Sequence, residues 1–275
     1  MTSHIILLTL FAALLHASWN ALLRGGTDRL WSMTIMCLTI AVVCAAIALF
    51  LPLPASASWT YVLSSALLHV GYNLCLVRSY ECGDLGQTYP IARGSSPLMV
   101  TCAAAIFAGE KIECSTLGGI TLVTGGILML AVKGGKRVMT GLQYTLATGG
   151  FIAAYSVVDG MGARASGNAL SYTVWISALW GVLMPVLYVV LRDGKSLLCW
   201  RPGLFHAAAG GLVSLLAYGI IIYAMTAAPM GAVSALRETS VLFAAVLGYL
   251  FLGETLTLRK MLACTVIVAG TLMIG

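Results

Sequence analysis

Charge is what this chain has least of. Asp, Glu, Lys and Arg together make up 9% of its 275 residues, whereas 60% are hydrophobic, and the mean hydropathy is +0.98. A soluble domain needs far more charge on its surface. The composition therefore excludes a soluble enzyme or nucleic-acid-binding domain and implies an integral membrane protein. No polar stretch is long enough to fold as a separate soluble domain. The first apolar stretch follows Thr2-Ser3-His4, which is not a basic leader, and no small-x-small cleavage site stands out, so it is expected to remain as a span. The net charge of +6 falls in short loops, where basic residues orient a membrane protein rather than bind nucleic acid.

Other absences narrow the function. The eight cysteines, at 37, 44, 75, 82, 102, 114, 199 and 264, form no Cys-x-x-Cys. Most lie in apolar stretches, where a thiol behaves as a small packing residue. Neither a disulfide framework, a metal site nor a cofactor is expected. There is no His-Glu-x-x-His, no Gly-x-Ser-x-Gly and no phosphate-binding glycine loop, so no enzymatic activity is expected. The first apolar stretch also holds no acid.

Apolar runs of about the 20 residues needed to cross a bilayer recur ten times, over 4–23, 31–51, 59–78, 86–108, 114–132, 141–160, 170–191, 203–224, 231–252 and 258–275. With so little loop between them they must be helices packed in one bundle, because open sheet edges are not viable in lipid. The expected class is an all-α membrane protein of ten transmembrane helices. Gly-Gly pairs at 25–26, 118–119, 125–126, 134–135, 149–150 and 210–211 predict close helix crossings.

Two buried arginines carry the strongest functional signal. Arg93, Ser96, Leu98, Phe107, Gly109 and Glu110 recur as Arg237, Ser240, Leu242, Phe251, Gly253 and Glu254, always 144 residues later. The chain thus divides into two five-span halves, 1–133 and 141–275. An odd number of spans per half inverts the second copy relative to the first, the arrangement of many secondary transporters, whose substrate sits near mid-membrane between the halves. A charge in hydrocarbon costs about 3 kcal/mol or more and marks function by default. Each arginine lies roughly 10 Å into a core of about 30 Å, from opposite sides. Their planar forks suit carboxylate or phosphate. The alternative is a structural pair, with Arg237 satisfied by Glu238 or by carbonyls. Adjacent helix residues do not face each other, so a direct Arg237–Glu238 contact is expected to be poor. Pro90 and Pro97 flank Arg93 and predict a kink with freed carbonyls, with Tyr89 just before it.

A second echo places His16, Trp19 and Asn20 on one helix face and His69, Tyr72 and Asn73 on another, 53 residues on. At spacings of three and four these side chains share a face. They read as a cavity wall or as polar glue between helices. Glu238 is expected to be the one acid well inside a span, balancing an arginine or taking up a proton; His16 is a second proton candidate. Glu110 and Glu254, at helix ends, are expected to pack or gate. Asp159 is expected near a span end and wet. Tyr155, Tyr218, Trp175 and Trp180 are expected to pack or meet lipid.

Basic residues are unevenly placed. Arg24, Arg29, Arg78, Lys133, Lys136, Arg137, Arg192, Lys195, Arg201, Arg259 and Lys260 share one side, and Lys111 and Arg164 the other. The rule that cytoplasmic loops are basic then puts both termini outside the cytoplasm.

The ten spans, the duplicated Gly-Glu, His16-Ala-Ser-Trp19-Asn20, Tyr89-Pro90-Ile-Ala-Arg93-Gly and Leu236-Arg237-Glu238-Thr-Ser240 together resemble the drug/metabolite transporter superfamily in its EamA-type ten-span branch. The resemblance covers the whole chain. It implies two inverted halves around a central cavity, alternating access, and a substrate among amino acids and other small metabolites; a plastid relative exchanges phosphate-bearing sugars. Small four-helix relatives bind cationic drugs through a glutamate in their first span, which here carries His16, Trp19 and Asn20 instead. Many ten-span relatives keep their termini cytoplasmic, the reverse of what the loop charges here imply. The expected function is secondary transport of a small anionic or zwitterionic metabolite, an amino acid, organic phosphate or phosphonate. Its candidate site is Arg93, Arg237, Trp19, Asn20, His16, Tyr72, Asn73, Tyr89, Ser96 and Ser240, with Glu238 for coupling. The rivals are a multidrug exporter and a non-transporting scaffold. Expected partners are the substrate, lipid and protons, in a monomer or homodimer of the bacterial inner membrane.

Overall fold

A computed structural model describes the backbone of all residues except 27, 83–84, 132–140, 193, 195–196, 198–200, 253–256 and 275, and the side chains of those residues except 24–25, 85–89, 131 and 247–252. The described chain is all-α. In order the helices are α1 (Ser3–Gly25), α2 (Arg29–Ala48), α3 (Trp59–Cys82), α4 (Leu85–Phe107), α5 (Cys114–Ala131), α6 (Leu142–Ala165), α7 (Ala169–Leu191), α8 (Leu204–Ala227), α9 (Met230–Glu238), α10 (Ser240–Leu252) and α11 (Leu258–Ile274). Among them α1, α2, α3 with its leading turn, α7 and α8 are each long and apolar enough to cross a membrane. The expected side-chain roles of Tyr89 and Glu254 lie outside the described residues.

Local chemistry sets the helix ends. The Asp28 carboxylate accepts from the Trp31 amide at the start of α2, and the Asn168 side chain accepts from Leu170 and Ser171 at the start of α7. Both are N-caps that satisfy otherwise orphaned donors. Gly109 follows α4 with φ of 64°, a left-handed conformation glycine adopts without strain. The turn sends the Glu110 amide back to the Ala104 carbonyl at 3.2 Å, which explains the Gly-Glu of the first repeat.

In the fourth span the prolines free a carbonyl, as expected, without ending the helix. Helix α4 runs unbroken through Pro90 and Pro97. Pro97 has no N–H for the Arg93 carbonyl, and the Ser96 hydroxyl donates to that carbonyl instead at 3.1 Å. The break falls in the repeat-equivalent column, where α9 and α10 are divided at Thr239, whose hydroxyl donates to the Leu236 carbonyl at 2.6 Å.

Packing follows the duplication. Helix α2 packs on α7 and α5 on α11, each on its counterpart in the other half; α3 against α6 matches α8 against α1, and α4 crosses α9. Direction is inverted between halves. Arg164, near the end of α6, bonds to Met225 near the end of α8, whereas Asp28, just past α1, bonds to Arg201 just before α8. The 24 residues of α8 separate these two ends by about 36 Å, so α1 and α6 run oppositely.

The glycines of the Gly-Gly pairs are not equivalent: Gly119, Gly126, Gly149 and Gly211 press on another helix, whereas Gly125 and Gly150 face open space. A Cβ on Gly119 would lie 2.7 Å from the Gly270 carbonyl oxygen, and one on Gly270 would lie 2.7 Å from that of Gly119, whereas nothing lies within 4 Å of a Cβ on Gly125. Backbones touch where lipid offers no hydrophobic drive to associate. Gly119→Leu is therefore expected to lower stability by about 1–3 kcal/mol through overpacking, while Gly125→Ala is neutral or stabilising by up to about 1 kcal/mol. Thermal melts in detergent check both.

Ion pairs tie the two ends. At one, Asp28 pairs with Arg192 at 2.5 Å and Arg201 at 2.9 Å, and Arg29 donates to the Tyr80 carbonyl at 2.6 Å. At the other, Arg164 donates to Glu110 at 2.6 Å and to the Met225 and Ala228 carbonyls, and Glu110 also accepts from the Met230 amide at 2.9 Å. Partial burial opposes the Asp28 charge, but the Trp31 amide and the two arginines prevail and hold the carboxyl below the usual range. A carboxyl depressed by folding stabilises the native state above its unfolded value, and that contribution disappears as pH falls through the folded value. The melting temperature of Asp28→Asn is accordingly expected to lie below wild type at neutral pH, the gap closing in acid.

Candidate functional site

Both arginines are buried, and they converge. Helix α4 brings Arg93 and α9 brings Arg237, each 1% exposed, onto Glu238, which is 0% exposed. Arg93 Nη1 lies 3.4 Å from Glu238 Oε2, and its Nη2 donates to the Tyr72 hydroxyl at 3.2 Å. Arg237 places Nε at 3.0 Å and Nη2 at 2.9 Å from Glu238 Oε1. It reaches Ser156 and Ser234 at 3.4 and 3.5 Å. The Arg237–Glu238 contact corrects the expectation that neighbours cannot pair. Glu238 closes α9, where no following turn of that helix crowds it, and the long arginine stem folds back onto it. The repeat equivalent of Glu238 is Gly94. Two symmetry-related cations thus share one asymmetric anion. The Ser96 hydroxyl lies 3.5 Å from Glu238 Oε1 as well as on the Arg93 carbonyl. Ser240 is buried beside the break.

The cavity lies beside this triad. Its wall includes His16, Trp19, His69, Tyr72, Asn73 and Tyr218, and its volume is about 40 Å³. That is room for one or two waters, so a metabolite needs the halves to move. Tyr72 joins cavity and triad. Of the two predicted stripes, five of six residues face the cavity; Asn20 instead accepts from the Tyr80 hydroxyl at 3.3 Å and donates to the His16 carbonyl at 2.8 Å, gluing α1 to α3. Asn73 also donates to Cys37 Sγ at 3.8 Å.

Two donors in the wall are unused among the described residues. Trp19 Nε1 lies 3.1 Å from His16 Nδ1. An indole nitrogen only donates, so Nδ1 accepts and the proton of a neutral His16 sits on Nε2. His16 Nε2 and Trp180 Nε1 are buried without a partner among the described residues. A buried unpaired polar group costs about 1–3 kcal/mol, which a bound acceptor would remove.

Of the aromatics expected to pack or to meet lipid, Tyr155, Trp180 and Tyr218 pack around His69 and also line the cavity. His69 stacks on Tyr155 with centroids 4.2 Å apart and on Trp180 at 5.5 Å. Only Trp175 packs away from the cavity, edge-on to Trp59 at 5.5 Å. No local pattern marks the first three; their neighbours come from other helices. Asp159 is also a correction, since it is 0% exposed and Glu238 is not the sole buried acid. Helix α6 continues to Ala165 because Glu110 and two carbonyls bind Arg164 at its end. Asp159 therefore lies inside the helix.

No group of acids, histidines or cysteines among the described residues could hold a metal. The described cysteines are unpaired.

A family model described as the EamA-like transporter family matches residues 3–132 and again 139–275. No curated protein matches by sequence. A crystal structure of another protein superimposes with a TM-score of 0.78 at 16% identity, over 99% of this chain and 98% of that one, a likeness of fold alone.

Proposed function

This chain belongs to the EamA-like transporter family, and we propose that it moves a small anionic or zwitterionic metabolite by alternating access between its two halves. The substrate class is that of amino acids, organic phosphates and phosphonates. The observation that carries this reading is the triad: two buried guanidinium groups share one carboxylate at the edge of a cavity with unpaired N–H donors. An incoming carboxylate or phosphonate supplies acceptors for the two N–H groups that have no partner among the described residues. Arg93, already on Tyr72 in the cavity wall, is the nearer grip. Glu238 serves as their counter-charge. The stripes of α1 and α3 shape the remainder of the cavity.

Alternating access requires the end clusters to open in turn. The Asp28–Arg192–Arg201 cluster and the Glu110–Arg164 lock are the contacts that must break. The bias of basic residues toward the Asp28 end supports a cytoplasmic position for that end, with both termini outside.

The test is uptake into liposomes of a labelled panel of amino acids, organic phosphates and phosphonates. Saturable uptake of at least one anionic or zwitterionic compound is expected. No uptake of any, with a protein that melts cooperatively, overturns the reading. The aromatic wall of Trp19, Tyr72, Tyr155, Trp180 and Tyr218 favours a second reading, export of hydrophobic cations by cation–π contact. The buried arginines oppose it, and growth of expressing cells on toxic quaternary ammonium compounds discriminates.

A further inference from the structure

We propose that Asp159 is a proton-binding site of the transport cycle, linked to the cavity through Tyr218. The inference rests on the alternating-access reading above. Asp159 lies at the middle of a polar cluster separate from the arginine triad. Its Oδ1 accepts from the Tyr172 hydroxyl at 2.9 Å and its Oδ2 from the Tyr218 hydroxyl, and Ser65 is a further hydrogen-bonding neighbour. It forms no ion pair among the described residues, although it is fully buried. An unpaired carboxylate in such a place is costly, and taking up a proton is the usual escape. A hydroxyl can donate to the charged carboxylate and can turn to accept from the neutral acid, so the same two tyrosines can serve both forms.

Among the described residues, α3 presents Ser65, which carries His69 behind it, α7 presents Tyr172, α8 presents Tyr218, and Tyr155 is on the same helix as Asp159. Arg237 acts from a greater distance on α9, with its partners Glu238 and Arg93 of α4 beyond it. Neither arginine is within ion-pair distance of Asp159 among the described contacts, so the two carboxyl sites are separate.

Two of these neighbours, Tyr218 and His69, are also in the cavity wall. Tyr218 gives a short path. A cavity water passes a proton to the Tyr218 oxygen while the Tyr218 hydroxyl proton moves to Asp159 Oδ2. The carboxylate becomes a neutral acid, the phenol is regenerated, and the water leaves as hydroxide or is replenished from hydronium. Ser65, 3.2 Å from His69 Nδ1, offers a second route. Release toward the opposite compartment reverses the same step after the halves have moved. Because Tyr218 serves both the carboxyl and the cavity, the charge on Asp159 and the occupancy of the cavity are coupled.

Infrared difference spectra of the reconstituted protein, recorded as pH is varied without ligand, test proton uptake. A protonated-carboxyl stretch is expected in wild type and in Asp28→Asn, and is expected to be lost in Asp159→Asn. If Asp159→Asn does not fold, Tyr218→Phe keeps the carboxyl and is expected to displace the midpoint of the band. A band unchanged by both substitutions overturns the proposal. Transport supplies the second readout, with the labelled compound that wild type takes up. Asp159→Asn is expected to retain exchange across the membrane and to lose accumulation driven by a pH gradient. Loss of the band with gradient-driven accumulation intact also overturns it. Failure of the transport reading itself would show as no uptake by wild type, while the infrared titration would still be readable.

Discussion

Glu238→Ala is expected to destabilise the protein by about 3–5 kcal/mol, the usual cost of removing one partner from a buried ion pair. The number is large because the loss falls on two cations. Arg93 and Arg237 are each 1% exposed and both reach Glu238. Without it they face each other in a low-dielectric interior, where like charges repel strongly. Remaining contacts of Arg237 to Ser156 and Ser234, at 3.4 and 3.5 Å, are too long to compensate. Equilibrium unfolding in detergent measures the effect. Two further results belong to the same argument. Arg93→Ala combined with Glu238→Ala is expected to cost less than the sum of the two changes, because their shared interaction is counted twice. Formate, an anion small enough for the vacated place, is expected to raise the melting temperature of Glu238→Ala more than that of wild type. Wild-type stability in Glu238→Ala would mean that the arginines are satisfied elsewhere.

Uptake is expected to fall when either arginine is removed. Truncating one partner of a buried charge pair at a binding site costs about 2–5 kcal/mol, which corresponds to roughly 30-fold or more in apparent affinity. Arg93→Ala is expected to act mainly on transport, since Arg93 also holds Tyr72 in the cavity wall. Arg237→Ala is expected to lose both stability and transport, since Arg237 reaches Glu238 through both Nε and Nη2. Lysine is not expected to restore either position, because a point charge cannot reproduce the planar fork. Folding is checked by melt before uptake is compared. Unchanged uptake by both folded variants would remove the arginines from the substrate site while leaving the family assignment intact.

Much of this was legible from one dimension of the chain. Arg93 and Arg237 stood out because charge is rare here and because each begins the same pattern. His16, Trp19, His69, Tyr72 and Asn73 stood out because they repeat at helical spacing, and all five face the cavity. Asn20 has the same spacing and does not, since Tyr80 from another helix takes it. Tyr155, Trp180 and Tyr218 carried no signal at all. An aromatic side chain in an apolar helix looks the same whether lipid, a partner helix or a cavity faces it. Asp159 was misplaced for a related reason. Hydropathy ended its span early, whereas Glu110, far away in sequence, let the helix continue past Arg164.

By itself the sequence determined the solvent, the all-α class and the duplication. Hydrocarbon leaves backbone groups no partner but their own helix, so apolar length alone marks a span. Only the tertiary structure decided what the rare polar groups do. Glu238 joins both arginines, although Arg93 is 145 residues away from it in the chain, because α4 and α9 cross. Asp159 meets tyrosines from α7 and α8 because those helices pack around α6. Such meetings depend on how helices cross, and crossing is set by small residues such as Gly119 and Gly270 that carry no charge and no chemistry of their own.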